Sequence, residues 1–569
     1  MAFRAATFLR ALLVPLFLFL QTPVSAAQDA PPNPAGITAD ALKAYSEAEI
    51  CALLDNPSRN RLLAEGVSIP VDARINCTIG PITNAMSDAV FFKIPIGVTD
   101  GFEGVPFIVV WLAAGAVFFT IYMRFVNFRA FGHAIKVARG KYDDPNDPGE
   151  VTHFQALSAA LSGTVGLGNI AGVALAISIG GPGATFWMIL VGLFGMASKF
   201  TECTLGVHYR RIDENGVVSG GPMYYLSRGF EKRGMKTLGR VLAVIAALFC
   251  IGGAFGAGNM FQVNQSAQQF MNVMVPLTGG DDSFLAGKPW LFGFIFAVFV
   301  AMVIIGGIRS ITKVTEKLVP FMAILYLGSA LIILLTHIPE IPGAFAQIFV
   351  GAFAPEGVAG GFLGVLVQGM RRASFSNEAG IGSAAIAHSA VKTKEPVSEG
   401  MVALLEPFVD TVVICTATAL VIIITGQMDP NATEGISLTS RAFASVIPFF
   451  PYILSVAVIL FAFSTSITWY YYGEKSFGYL VGQDKRTALL IFKLTFLGVL
   501  IIGASMTLTK VMDFADAMLL AMGFPNLIGL YLMAPEVKRM MISYEARVKS
   551  GEIRPYEGEP RQAAARPTA

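Results

Sequence analysis

Hydrophobic and polar positions fall into long blocks along this chain rather than into a short alternation. Eleven apolar stretches stand out, at residues 105–125, 154–179, 184–207, 239–266, 290–309, 318–337, 362–389, 400–425, 443–470, 487–508 and 512–534. Most match the roughly 20 residues a helix needs to cross a bilayer. Apolar runs of this length, without a two-residue period, predict helices and not strands. Two stretches are interrupted by glycine, asparagine and hydroxyl residues: the second, at 162–169 (SGTVGLGN), and the seventh, at 375–383 (FSNEAGIGS). Backbone groups freed by such breaks cannot face lipid, so each break must be lined by protein or by a polar cavity.

Composition supports the membrane reading. Only 14% of residues are charged, against about 25% in a soluble domain, and the mean hydropathy is +0.62. So little charge cannot cover a water-soluble surface. The 58 glycines agree with this, because glycine is commoner in membrane helices than in soluble ones. Net charge is +2, which points to no polyanionic partner.

Charge placement gives the topology. Lys and Arg crowd one set of loops, with Arg129, Lys136, Arg139 and Lys141, then Arg210, Arg211, Arg228, Lys232 and Arg233, then Lys392, Lys394, Lys485 and Arg486. The opposite loops hold little beyond Lys288, Arg441 and Lys510. The basic side is expected to be cytoplasmic. That puts the C-terminus inside and, with an odd number of spans, the mature N-terminus outside. The first 26 residues independently resemble a cleaved signal peptide, with Arg4 and Arg10, an apolar stretch at 11–20 and a small-residue VSA at 24–26. Residues 27–104 then form an extracytoplasmic extension, 105–540 the transmembrane domain and 541–569 a cytoplasmic tail. Cys51 and Cys77 lie in the extension, where an oxidising compartment permits a disulfide. Cys203, Cys250 and Cys415 lie in apolar runs and are expected to be core packing.

The chemistry is expected at the breaks. Around residues 163–169, unwound carbonyls could hold a cation and helix-start amides a carboxylate. The segment alone equally allows a close packing seam through small residues. The seventh stretch lies five stretches later and runs the opposite way, and a pair of interrupted helices in matching halves points to an inverted-repeat transporter. In the ninth stretch Ala462, Thr465 and Ser466 share one helical face. One carbonyl and two hydroxyls there suit a hard cation, though hydroxyl-to-backbone bonding is an ordinary alternative. Glu202, Arg371, Arg372, Glu378, Glu406, Asp410 and Asp516 are ionisable groups at or near membrane depth, where each needs a partner or a cavity. Arg372 and Glu378 are close enough in sequence to pair, and His388 reads as structural. The basic stretch 222–235 (PMYYLSRGFEKRGM) reads as an amphipathic segment on the membrane surface. No phosphate loop, metal-ligand cluster or nucleophile–base motif occurs in the sequence, which argues against a membrane-embedded enzyme.

Several motifs together resemble the alanine or glycine:cation symporter family. They are GGPGATFWM at 180–188, GGPMYY at 220–225, GNMFQ at 258–262, FSNEAGIGS at 375–383, Ser464 and Thr465 followed by WYYYGE at 469–474, and Pro525 with Asn526. The resemblance covers about residues 105–540 and leaves the N-terminal extension outside. It implies an all-α membrane protein of eleven spans with the fold of the bacterial leucine transporter, a five-plus-five inverted repeat after the first span. It further implies a sodium site from the carbonyls of Ser162, Val165 and Ala462 with the hydroxyls of Thr465 and Ser466. Asn169 and Gln262 would contact the amino acid, with Thr164, Gly168, Phe375, Asn377, Gly380, Thr465 and Trp469 around it. Residue 162 is Ser where that superfamily often has Gly, a change a carbonyl ligand tolerates. The function implied is symport of a small neutral amino acid with sodium in a bacterial inner membrane, with no prosthetic group. Proton coupling through a buried acid, and an ion channel built on the same broken helices, are the alternatives.

Overall fold

The computed structural model describes residues 83–96, 103–353, 360–428 and 435–556. The signal-peptide reading and the pairing of Cys51 with Cys77 fall outside these residues. The described chain is helical apart from two short antiparallel pairs, Lys93–Ile94 with Val105–Pro106 and Arg211–Ile212 with Val218–Ser219.

Each of the eleven apolar stretches contains a helix. They are α1 (Phe107–Tyr122), the broken pair α2 (His153–Thr164) and α3 (Ala171–Gly180), and α4 (Ala184–His208). A short α5 (Pro222–Glu231) precedes α6 (Lys236–Phe255) and α7 (Phe261–Leu277), which are fused through a π-turn at Gly256–Met260. Then come α8 (Pro289–Ile304), α9 (Gly307–Thr336), α10 (Ile341–Phe353), and the second broken pair, α11 (Gly361–Asn377) and α12 (Ala384–His388). Further along are α13 (Pro396–Ala403), α14 (Thr416–Ile424), α15 (Ile436–Ala444), α16 (Phe450–Val481), α17 (Arg486–Gly503), α18 (Leu508–Ala521) and α19 (Gly523–Ser550), and the short helices Val126–Arg129, Phe131–Ala138 and Leu405–Pro407 stay unlabelled. Between α13 and α14 the chain winds as a π-helix over Phe408–Cys415. Among the described residues, seven helices are long and apolar enough to cross a bilayer, or eight if the α2–α3 pair counts as one bent span. Helices α1 and α8 are apolar but shorter.

Burial sorts the helices. α4 buries 72% of its most apolar window and α17 only 22%, so α4 runs through the interior and α17 along the rim. On α8 the outward residues Ile295, Val298, Phe299 and Met302 recur at helical spacing and are exposed, as a lipid-facing stripe requires. Glycine sets the closest approaches. A Cβ on Gly183 would fall 2.1 Å from the Gly351 carbonyl carbon, so α10 can touch the start of α4 only because neither position has a side chain.

The stretch at 222–235 departs from the surface reading. In α5, residues Pro222, Met223, Tyr224, Tyr225, Leu226, Gly229 and Phe230 are buried, and the helix packs on α6 and α19. Its apolar face meets protein rather than headgroups.

Candidate functional site

The second span breaks where glycine allows it. Thr152 and Gln155 form a reciprocal cap that starts α2. The helix ends at Thr164, Gly166 takes an extended conformation (φ −137°, ψ −153°), a single 3-10 turn follows at Leu167–Asn169, and α3 leaves at 56° to α2. A break frees amides and carbonyls that must find partners. The Gly166 amide donates to Asn169 Oδ1 (2.9 Å) and the Leu167 amide to Gln262 Oε1 (3.2 Å). The carbonyls are met by α16. Thr465 Oγ1 donates to the Ser162 carbonyl (2.9 Å) and Trp469 Nε1 to the Gly163 carbonyl (3.3 Å). In return Ser162 Oγ donates to the Ser464 carbonyl (2.6 Å), and Thr468 Oγ1 donates to Ser162 Oγ (3.1 Å).

An oxygen cluster results, buried and without formal charge. Ser162, Thr465 and Ser466 are buried, and Ser466 Oγ has no hydrogen-bond partner. An orphaned hydroxyl in such a place is costly, and neutral oxygens in this number are the donors a hard monovalent cation takes. The residues present therefore fit the ion that the sequence suggested for them.

Asn169 anchors the other side of the break. Its Nδ2 lies 2.5 Å from Asp410 Oδ1, 3.1 Å from the Asp410 carbonyl and 3.1 Å from Ser376 Oγ. Ser376 Oγ and Thr411 Oγ1 both donate to Asp410 Oδ2, at 2.6 and 2.7 Å. The Asn169 carbonyl accepts from Thr418 Oγ1 (2.9 Å). Asp410, Thr411 and Cys415 stand on the π-helix of the eighth span, and π-turns are frequent at functional sites. Two broken spans and a widened one thus meet at one buried carboxylate. Phe375 closes this region against Gly168, its ring edge-on to Phe261 at 5.3 Å.

The seventh span breaks differently. α11 ends at Asn377, Glu378 adopts the left-handed conformation (φ 55°), and Gly380 and Gly382 follow with φ of 82° and 92°. A left-handed glutamate is uncommon and costs roughly 1–2 kcal/mol unless its surroundings hold it. Ser383 Oγ donates to its carboxylate.

The predicted site residues divide into two groups. Ser162, Val165, Gly168, Asn169, Gln262, Phe375, Thr465, Ser466 and Trp469 gather around the second-span break or on the helices that seal it. Ala462 lies buried on the same face of α16 as Thr465 and Ser466. Three others are engaged elsewhere by their own hydrogen bonds or neighbours, Asn377 through the Thr411 hydroxyl that also donates to Asp410. Thr164 Oγ1 bonds back to the Ala160 carbonyl (3.3 Å). Asn377 binds Thr411 Oγ1 (3.1 Å) and the Ala379 amide (3.0 Å). Gly380 faces Leu527 and Leu112, and its carbonyl accepts from Asn526 Nδ2 (2.8 Å). Arg372 does not pair with Glu378. It pairs with Asp516, which Arg371 also reaches at 2.7 Å, because the helix carries residue 372 to the α18 side of the bundle before the chain turns at 378. His388 sits between Glu399 and Glu406. Asp410 was visible in the sequence as a buried acid, but its link to Asn169 was not, since the two lie 241 residues apart.

Comparison with known proteins gives the family. Sodium/alanine symporter AgcS of Methanococcus maripaludis is 40% identical over 443 residues, covering 77% of this chain and 94% of that protein. The probable sodium/glutamine symporter GlnT of Bacillus subtilis is 32% identical, covering 80% and 91%. The putative sodium/proton-dependent alanine carrier YrbD of the same organism is 33% identical, covering 78% and 90%. Among solved structures, MhsT in complex with L-phenylalanine aligns at a TM-score of 0.46 and 15% identity over 69% of this chain and 99% of that one, too loose a likeness to carry the fold. The profile described as "Sodium:alanine symporter family" matches residues 91–557, which take in both broken spans, the π-turns and the α16 hydroxyls, and the chain belongs to that family.

Proposed function

We propose that this chain is a secondary active symporter that imports small neutral amino acids, alanine foremost, with glycine and serine as lesser substrates, driven by sodium. The observation that carries the reading is the buried, uncharged oxygen cluster where α16 crosses the break of the second span, with the unpartnered Ser466 hydroxyl next to Thr465 on α16. Sodium would be held by the carbonyls of Ser162, Val165 and Ala462 and the hydroxyls of Thr465 and Ser466. A cation there ties α2 to α16 and orders the Gly166 turn. The same turn presents Asn169 and Gln262, so sodium and amino acid bind with reciprocal coupling. Phe375 and Trp469 wall the space and favour small side chains. The relative named as a sodium/alanine symporter supports this choice.

The reading includes eleven spans, a five-plus-five repeat after the first, and a place in a bacterial inner membrane with the mature N-terminus outside and the C-terminus in the cytoplasm. Relatives named for glutamine and for proton dependence make side-chain size and coupling ion the points to test. Uptake of radiolabelled alanine by proteoliposomes, competed by a panel of amino acids, tests the first. Glycine and serine should compete and glutamine should not. Competition by glutamine equal to that by alanine would contradict the small-substrate assignment.

A further inference from the structure

The polar turn between α16 and α17 carries Lys485 and Arg486, which belong to the basic set of loops and take no part in the broken-helix site. Both flanking helices are long and apolar enough to cross a bilayer, so the turn lies at a membrane surface. Several other basic residues of those loops are engaged by the protein itself. Arg210 donates to the carbonyls of Pro148, Ser389, Val391 and Thr393. Arg233 pairs with Glu536, Lys394 with Asp147 and Arg547 with Glu395. Arg486 differs. Among the described residues its side chain makes no hydrogen bond or ion pair. Lys485 meets only its neighbour Asp484, at 3.8 Å, too far for a hydrogen bond.

These two cations line a cavity of about 520 Å³, together with Asp484, Thr487, Ala488 and Ile491. Two positive groups and one carboxylate leave one net positive charge, which a single phosphodiester balances. α17 also starts here without a side-chain cap, and an uncapped helix start favours an anion.

The cavity continues as an apolar face. Thr487 and Ile491 are followed on α17 by Leu494, Gly498 and Ile502, spaced three or four residues apart and so on one side of the helix. Leu494 is 59% exposed and Ile502 37%, and a Cβ on Gly498 would meet nothing within 4 Å. This is the rim helix, so that side meets hydrocarbon. Gly498 leaves a dent in the stripe one turn beyond Leu494. From Thr487 to Gly498 the face runs about 16 Å, close to the roughly 15 Å of hydrocarbon in one leaflet. A soluble anion would use the cations and leave the dent to bulk lipid, whereas a phospholipid uses both. On the opposite side of α17 the Phe496 carbonyl accepts from Asn259 Nδ2 (2.8 Å), which stands in the π-turn leading to Gln262. A lipid that holds α17 therefore steadies a helix packed on the core of the bundle.

We propose that the α16–α17 turn and the outer face of α17 form a binding site for one anionic phospholipid. Its phosphate sits between Lys485 and Arg486, and one acyl chain lies along Thr487, Ile491, Leu494 and Gly498. A headgroup amine would bring a further cation towards these two, so the site takes a head without one. The proposal needs only that α16 and α17 span a bilayer, and takes nothing from the sodium-symport reading.

The test uses the full-length protein in detergent, titrated with phosphatidylglycerol or with phosphatidylcholine of the same chains. Native mass spectrometry counts bound lipid, and thermal denaturation reports stabilisation by a ligand of the folded state. Phosphatidylglycerol should bind several-fold more tightly and raise the melting temperature by a few degrees. Lys485→Gln with Arg486→Gln should weaken that binding at least tenfold, the scale expected for two juxtamembrane cations. Arg139→Gln with Lys141→Gln removes the same charge from another basic loop and should bind as the wild type does. Gly498→Trp fills the dent, keeps both cations and should weaken binding several-fold. Equal losses in the two double variants would mean diffuse attraction to a basic surface and overturn the site, as would equal affinity for the two lipids. Glycerol 3-phosphate should give no comparable stabilisation. If it matches phosphatidylglycerol, or if Gly498→Trp binds lipid normally, the occupant is a soluble anion and the lipid assignment falls. Transport is not read in any arm, so a failure of sodium-driven uptake leaves this result untouched.

Discussion

Gly166 has no room for a side chain. A Cβ there would lie 2.6 Å from Thr465 Oγ1 and 3.1 Å from Gln262 Oε1, and both atoms are already engaged by the broken helix. Gly166→Ala should push Thr465 off the Ser162 carbonyl and lower sodium-driven uptake at least tenfold, about 1.4 kcal/mol. Size-exclusion profiles report whether the protein still folds. Near-normal uptake would mean that the Ser162–Thr465 contact is not part of the site. The double substitution Thr465→Ala with Ser466→Ala removes two hydroxyls from α16 and little apolar area. It should raise the sodium concentration for half-maximal uptake about tenfold or more, if each hydroxyl contributes ~1 kcal/mol, with little change in thermal stability. At this scale glycine and hydroxyl residues in an apolar run stand out in the sequence, and several of those it singled out meet at the break. It could not reveal that Asn169 would be anchored by Asp410 and Ser376, since such partners come from spans far apart in the chain.

Elements carry the next level of information. The two π-turns, Gly256–Met260 and Phe408–Cys415, were not legible, because one extra residue in a turn leaves an apolar run looking apolar. Gly258 is the trace the first one leaves: a Cβ there would stand 2.1 Å from the Trp469 Cβ, so α16 can pass only over glycine. The amphipathic pattern of α5 was legible, but periodicity cannot tell a lipid surface from the protein face of α6 and α19 that buries it. The seam between α11 and α18 rests on one carboxylate, since both Arg371 and Arg372 turn to the buried Asp516. Asp516→Ala leaves the buried Arg372 without its counter-charge and should destabilise the protein by about 3–5 kcal/mol. A thermal-denaturation series in detergent checks this, with Asp516→Asn expected to fall between the two. Wild-type stability in Asp516→Ala would remove the pair from the account.

The whole molecule was the most legible level. Eleven apolar stretches each contain a helix, and at both places where glycine and polar residues interrupt a stretch the helix breaks. Hydrophobic length and backbone permissiveness are local properties, so sequence states them directly. The buried groups around His388, where Glu399 also meets His153 and Glu406 also meets Lys199, were less visible. Only spacing hinted at them: Lys199 and Glu202 are three residues apart on α4, and Glu399 and Glu406 are seven apart on one face of the eighth span. The central claim is that a sodium gradient drives an amino acid through the Gly166 break. Proteoliposomes containing the purified protein, loaded without sodium and diluted into sodium at equal pH on both faces, measure it directly through the alanine they take up. Accumulation above the outside concentration, lost when the sodium gradient is collapsed, is the predicted result. Equilibration without accumulation, or accumulation indifferent to sodium, would contradict it.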